Sequence, residues 1–275
     1  MEEINEELLQ SNAEKAQEEE IELSHTDKIV GVFAEPVSMF SKAAKFPPRA
    51  MDWLLPILFV IIVSIAGYIV LMSNPTIKYA MTAEQMKQIE EQFQEQVDAG
   101  QISQEQADEQ LERTREFMEG QGAMGMIFAV IGIVIGQLIF FFIIAAIFLL
   151  VAKLALKGDG NYSTAMVAYG LPHYIGVIQG IVMVILSMVM GKFLMGTSVA
   201  TFMDFEQGSF LNFIMGKIDP FSIWFYAVFS IGLAKMFKSQ TTGKYFAWVF
   251  GLWLGFGILM FFLAKAVPFL SFLAR

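Results

Sequence analysis

IDPFSIWFYAVFSIGLAKMFKSQTTGKYFAWVFGLWLGF, residues 218–256, reads as an apolar helix, a short basic turn and a second apolar helix. Neither helix offers water a polar face. Asp219 is placed to cap the first helix, and Pro220 suits its first turn, where the missing N–H costs nothing. Lys235, Lys238 and Lys244 crowd the connection. Two such helices belong in a bilayer, with the lysine turn on its positively charged side.

The composition agrees. The chain is 56% hydrophobic, above the roughly 45–50% of soluble domains. Its net charge of −9 sits in two polar segments and not in the apolar runs. That acidic balance argues against nucleic acid as a partner. Cysteine is absent, which excludes disulfides, thiolate chemistry and Cys-ligated metals. His25 and His173 are the two histidines, too few for a histidine metal or catalytic cluster. Neither a cofactor nor a metal site is expected. The first residues lack the basic and apolar regions of a secretory signal, so the first spanning helix is expected to direct insertion.

Outward from the quoted stretch, the chain divides as follows. Residues 1–23 are an acidic tail, nine glutamates against Lys15, expected to be disordered and cytoplasmic. Residues 24–50 are an amphipathic segment. Ile29, Val32, Phe33, Val37, Phe40 and Ala44 share one helical face, and Lys28, Lys42, Lys45 and Arg49 add positive charge. It either lies at the membrane surface or packs on the bundle. Pro36 should kink it, and Pro47–Pro48 should end it. Residues 51–270 form the membrane domain, with spans at about 53–72, 124–152, 162–190, 219–237 and 245–264. Asp52 is read as a cap for the first of them. Its twenty residues reach about 30 Å, the thickness of a hydrocarbon core.

The insert at 74–122 carries capping patterns at Thr82–Gln85 and Ser103–Gln106, with Gly100 between them as a stop. It predicts a helical hairpin outside the membrane. The fold class is thus an all-α integral membrane protein: a five-helix bundle with an N-terminal interfacial amphipathic helix and an extramembrane hairpin. Residues 191–217 are expected to form a loop in the outer interface. Lys42, Lys45, Arg49, Lys153, Lys157, Lys235, Lys238 and Lys244 outnumber Lys78, Lys192, Lys217, Lys265 and Arg275 on the other side. This bias puts the N-terminus inside and the C-terminus outside.

Few residues suggest chemistry. HExxH, GxSxG and GxxxxGK[ST] patterns are absent, so no enzyme is expected. Gln137 is the lone strongly polar side chain of the second span. Pro172 and His173 lie inside the third, where an ionisable group is a functional hypothesis by default. The competing reading is a neutral His173 bonded to a carbonyl freed by the proline kink near Ala168. Gly132/Gly136, Gly176/Gly180 and Gly251/Gly255 are GxxxG steps, which let helices approach closely.

GVFAEPVSMF before the first span, AYGLPHYIG in the third, and above all DPFSIW…IGLA in the quoted stretch resemble the Yip1-domain family. The resemblance covers about residues 25–270 and is nearest to bacterial and archaeal members. It implies five membrane helices with a cytoplasmic N-terminus. Eukaryotic members are linked to vesicle trafficking and Rab-type GTPases, but the DLYGP motif that marks them is missing here, so that role does not carry over. A bacterial cytoplasmic membrane is the expected location. Two functions remain open: a scaffold or organiser of membrane proteins or membrane shape, and a transporter or pore for a small or lipidic molecule. Expected partners are the bilayer and other membrane proteins or a second copy. A polar cavity lined by Gln137, His173 and Gln179 would favour transport.

Overall fold

The computed structural model describes residues 22–266 apart from 121, 204 and 207, and the side chains of 118–123 are likewise not described. The expectation of a disordered acidic tail falls almost wholly outside the described residues. All described elements are helical. The amphipathic segment forms α1 (His25–Ala34) and α2 (Pro36–Ala43), parted at Glu35. Pro36 takes the first helical position of α2, where its lack of an amide is harmless.

The first span is α3 (Met51–Ser73). It starts at Met51, one residue before Asp52, and its N-cap residue, Ala50, makes no side-chain cap hydrogen bond. Asp52 is therefore not the cap expected of it; its carboxylate is engaged elsewhere. At Asn74 the chain passes directly into α4 (Pro75–Asp98), the Asn74 Oδ1 accepting from the amides of Thr76 and Ile77. Thr82 then lies inside a helix already under way, which corrects the start expected there. Gly100 takes φ +69°, a left-handed stop that glycine adopts at little cost. The pattern at Ser103 forms as a reciprocal box, Ser103 N donating to Gln106 Oε1 at 2.9 Å and Gln106 N to Ser103 Oγ at 3.2 Å. From there α5 (Gln104–Gly120) packs back on α4.

The second span, α6 (Gly122–Leu150), ends in a π-turn at Val151–Ala155. The third is two helices, α7 (Tyr162–Gly170) and α8 (His173–Met190), broken at Leu171–Pro172. Short helices α9 (Val199–Phe202) and α10 (Phe210–Lys217) occupy the expected loop. They lead into α11 (Pro220–Met236) and α12 (Thr242–Ala266). Among the described residues four segments are long and apolar enough to cross a membrane: α3, α6 with its π-turn, α7 with α8, and α12. α11, the first helix of the quoted stretch, is apolar but only 17 residues long, about 26 Å at the usual rise.

α11 is the hub. It touches α2, α7, α8 and α12, while α3 lies along α8. Phe40, Val167, Leu171, Ile175, Phe229 and Leu233 are fully buried between them. This explains why α11 has no polar face. It also shows that Val32, Met39 and Phe40 of the amphipathic segment point into the bundle. Two glycines permit the contacts. A Cβ on Gly232 would stand 2.7 Å from Phe40 Cζ and 3.0 Å from the Ala168 carbonyl. One on Gly170 would stand 2.6 Å from Trp53 Cα, which is backbone and cannot swing aside.

The three glycine steps behave differently. Gly180 brings α8 against α3, a Cβ there meeting Val63 at 3.0 Å, and Gly176 faces Val60 of the same helix at 3.9 Å. Gly132, Gly136, Gly251 and Gly255 face nothing within 4 Å. Among the described residues these two steps bring no neighbouring helix into close approach. Their helices, α6 and α12, present the steps away from the described bundle.

Candidate functional site

The structure draws polar side chains into two clusters, both anchored on α8. The first begins with the cap of α1. Ser24 Oγ accepts from the Asp27 amide at 3.1 Å while Asp27 Oδ2 accepts from the Ser24 amide at 3.1 Å. Starting the helix there puts His25 and Lys28, three residues apart, on one face. Both reach Asp52 in the first turn of α3. Lys28 Nζ donates to Asp52 Oδ2 at 2.6 Å, and the two side chains are each only 5% exposed. His25 Nδ1 lies 3.1 Å from Asp52 Oδ1, and its Nε2 lies 2.7 Å from the Tyr174 hydroxyl. The carboxylate can only accept, so the network places a ring proton on Nδ1; in the neutral imidazole Nε2 then accepts from the Tyr174 hydroxyl.

This is a hydroxyl–imidazole–carboxylate line, the arrangement that activates nucleophiles when the hydroxyl faces a substrate. Here Tyr174 is buried against Phe59 and His25, and Lys28 balances the carboxylate. Its evident effect is to bind α1 to α3 and α8. A burial of charge of this kind is tolerable because the pair is close and further hydrogen-bonded.

The second cluster surrounds Asp219, 5% exposed. Its Oδ1 accepts from Thr197 Oγ1 at 2.7 Å and from the Phe221 amide at 3.1 Å. Its Oδ2 accepts from Ser222 Oγ at 2.8 Å and Gln179 Nε2 at 2.9 Å. The cap predicted from sequence is thus present, and three side-chain donors join it. Among the described residues no cation stands within ion-pair distance of this carboxylate. Tyr174 and Gln179 are five residues apart on α8, about 7.5 Å along its axis. Both carboxylates therefore stand beside the third apolar segment, whose own sequence holds none.

His173 belongs to neither cluster. Its Nδ1 is 2.8 Å from the carbonyl of Tyr169, the neighbour of the Ala168 carbonyl expected as its acceptor. Its ring is edge-on to Tyr169, Phe225 and Phe141, at centroid distances of 4.6, 5.0 and 5.7 Å. Gln179 is committed to Thr197 and Asp219. Gln137 makes no hydrogen bond among the described residues. No hydrogen bond links Gln137, His173 and Gln179 to one another among the described residues.

A family model described as Yip1 domain matches residues 30–264. The chain belongs to the Yip1 domain family. No curated protein matches it, and no solved structure does. The family match, together with the long apolar helices, establishes an integral, multi-pass membrane protein. The Yip1 domain as matched holds Asp52, Tyr174, Gln179, Thr197 and Asp219, but begins after His25 and Lys28. The first cluster is thus formed between the Yip1 domain and the residues just before it. Sequence reading missed this cluster. The available signal was an aspartate at the mouth of an apolar helix, with a histidine and a lysine at i and i+3 in the segment before it.

One charge of the Yip1 domain lies beside the apolar surface outside these clusters. Lys217, in α10, stands over the rings of Phe213 and Trp253 at 5.1 and 5.7 Å, with its stem against Gly257. Burial lowers its pKa from the ordinary lysine value.

Proposed function

We propose that this Yip1-domain protein is a non-enzymatic scaffold or organiser of the membrane, of the bacterial and archaeal type, acting in a bacterial cytoplasmic membrane. α11 completes a set of five crossings, with α1 and α2 at the inner face, the N-terminus inside and the α4–α5 hairpin outside. The basic-residue bias supports this orientation. A single cysteine at Gln101, at the tip of the hairpin, should react with an impermeant thiol reagent on intact cells. Protection of that cysteine would reverse the topology.

The observation that carries the scaffold reading is the pair of outward glycine steps on α6 and α12. Nothing in the described chain fills the space above Gly132, Gly136, Gly251 or Gly255. In a bilayer such steps allow close helix–helix approach. Their partners are other membrane proteins or a second copy of this chain. Leucine at Gly132 and Gly136 meets no neighbour in the chain, so the fold should tolerate it. Crosslinking from a cysteine at Ile135, exposed between the two glycines, should fall several-fold in that variant at unchanged thermal stability. Equal crosslinking in both would remove the support for lateral assembly. A transporter or pore for a small or lipidic molecule is the second reading, favoured by Asp219, a buried carboxylate beside an apolar span without a cation. Ion-coupled transporters place such groups near half-length helices.

A further inference from the structure

Two short connections meet at one end of the bundle. One runs from the π-turn to α7, residues 153–161, and the other from α11 to α12, residues 235–244. The Asp159 amide donates to the Phe237 carbonyl at 3.1 Å, and Lys238 Nζ lies 3.2 Å from Asp159 Oδ2. Gly158 and Gly160 lie close over Phe237, so the two loops form one surface. That surface carries Lys153, Lys157, Lys235, Lys238 and Lys244 against the single carboxylate of Asp159. Lys153, Lys157, Lys235 and Lys244 have no ion-pair partner among the described residues.

Helix dipoles do not account for this excess. The chain leaves two helix C-termini and enters two helix N-termini here, so partial charges of about half a unit each roughly cancel. The backbone adds a second observation. Lys157 and Lys238 hold φ of +53° and +55°, the left-handed region, and are the two non-glycine residues to do so among those described. Glycine would adopt that conformation with less strain. What lysine supplies there is an exposed ammonium.

We propose that these two loops form a binding site for the phosphate headgroup of an anionic phospholipid. The apolar segments that flank them place the lysines at the level where a bilayer's headgroups begin. Four unpaired ammonium groups complement a phosphodiester, and the adjoining apolar helices α6 and α12 receive its acyl chains. Among the exposed residues here are Ile147, Leu150, Leu154 and Trp248, which give the chains an apolar wall.

The test is native mass spectrometry of the full chain, delipidated in detergent and titrated with phosphatidylglycerol or phosphatidylcholine. The wild-type chain should prefer phosphatidylglycerol. Lys157→Gln with Lys244→Gln should reduce that preference at least about fivefold, the scale of one basic residue near an anionic surface. Asp159→Asn should move it the other way. Lys78→Gln with Lys192→Gln, exposed lysines on other parts of the protein, should leave it unchanged. Glycerol phosphate should fail to displace the lipid, since it lacks the chains. Equal preference in the wild type and the loop variant, an equal loss in the control variant, or displacement by glycerol phosphate would each overturn the proposal.

Discussion

Lys28→Met should be among the most destabilising substitutions in the protein, lowering its stability by about 3–5 kcal/mol. The methionine keeps the length and the apolar stem but removes the ammonium 2.6 Å from Asp52. That leaves a carboxylate with 5% exposure and only His25 to answer it. Removing one member of a buried pair costs more than the pair contributes, because the survivor's desolvation is no longer offset. Asp52→Leu added to Lys28→Met should therefore recover much of the loss. Chemical unfolding of the purified protein in detergent, run on both single variants and the double, gives the comparison. If the losses of the two single variants simply add, the pair is not coupled as its geometry implies. Lys28→Met should also loosen α1, which the pair holds to α3. A protease site near Thr26 would report that loosening.

Asp219→Ala should cost about 3 kcal/mol. Its loss removes the cap of α11, worth about 1 kcal/mol. It also strands the donors of Thr197, Ser222 and Gln179, at about 1 kcal/mol or more for each that finds no other partner. The damage should be concentrated in the 191–218 segment, which Thr197 ties to α8 and α11 through this carboxylate. Asp219→Asn preserves size and part of the cap, and should cost much less in the same melting assay. The asparagine variant also separates the two functional readings. A transporter that needs the carboxylate charge would lose its cellular function at unchanged abundance, whereas a scaffold would keep it. An alanine variant as stable as wild type would show that the cluster holds nothing together.

The sequence by itself determined the class of protein and most of its local structure. Apolar runs of twenty or more residues, the Asp219–Pro220 start of α11, the Pro172 break, the Gly100 stop and the Ser103 box are all properties of neighbouring residues. Hydropathy and capping act within a turn or two, so a linear reading reaches them. The Thr82 start failed for a related reason. A competing local signal, Asn74–Pro75, began the helix two turns earlier. Only the tertiary structure decided which groups meet. His25 and Tyr174 are 149 positions apart, and Gln179 and Asp219 are 40. Asp52 looked like a cap until α1 delivered Lys28 and His25 to it. The three glycine steps are indistinguishable as strings, yet one faces α3 and two face outward. In a bilayer the surroundings of a helix are apolar on every side, so hydropathy does not say which face meets protein. That choice belongs to helix packing, and with it the position of every buried charge.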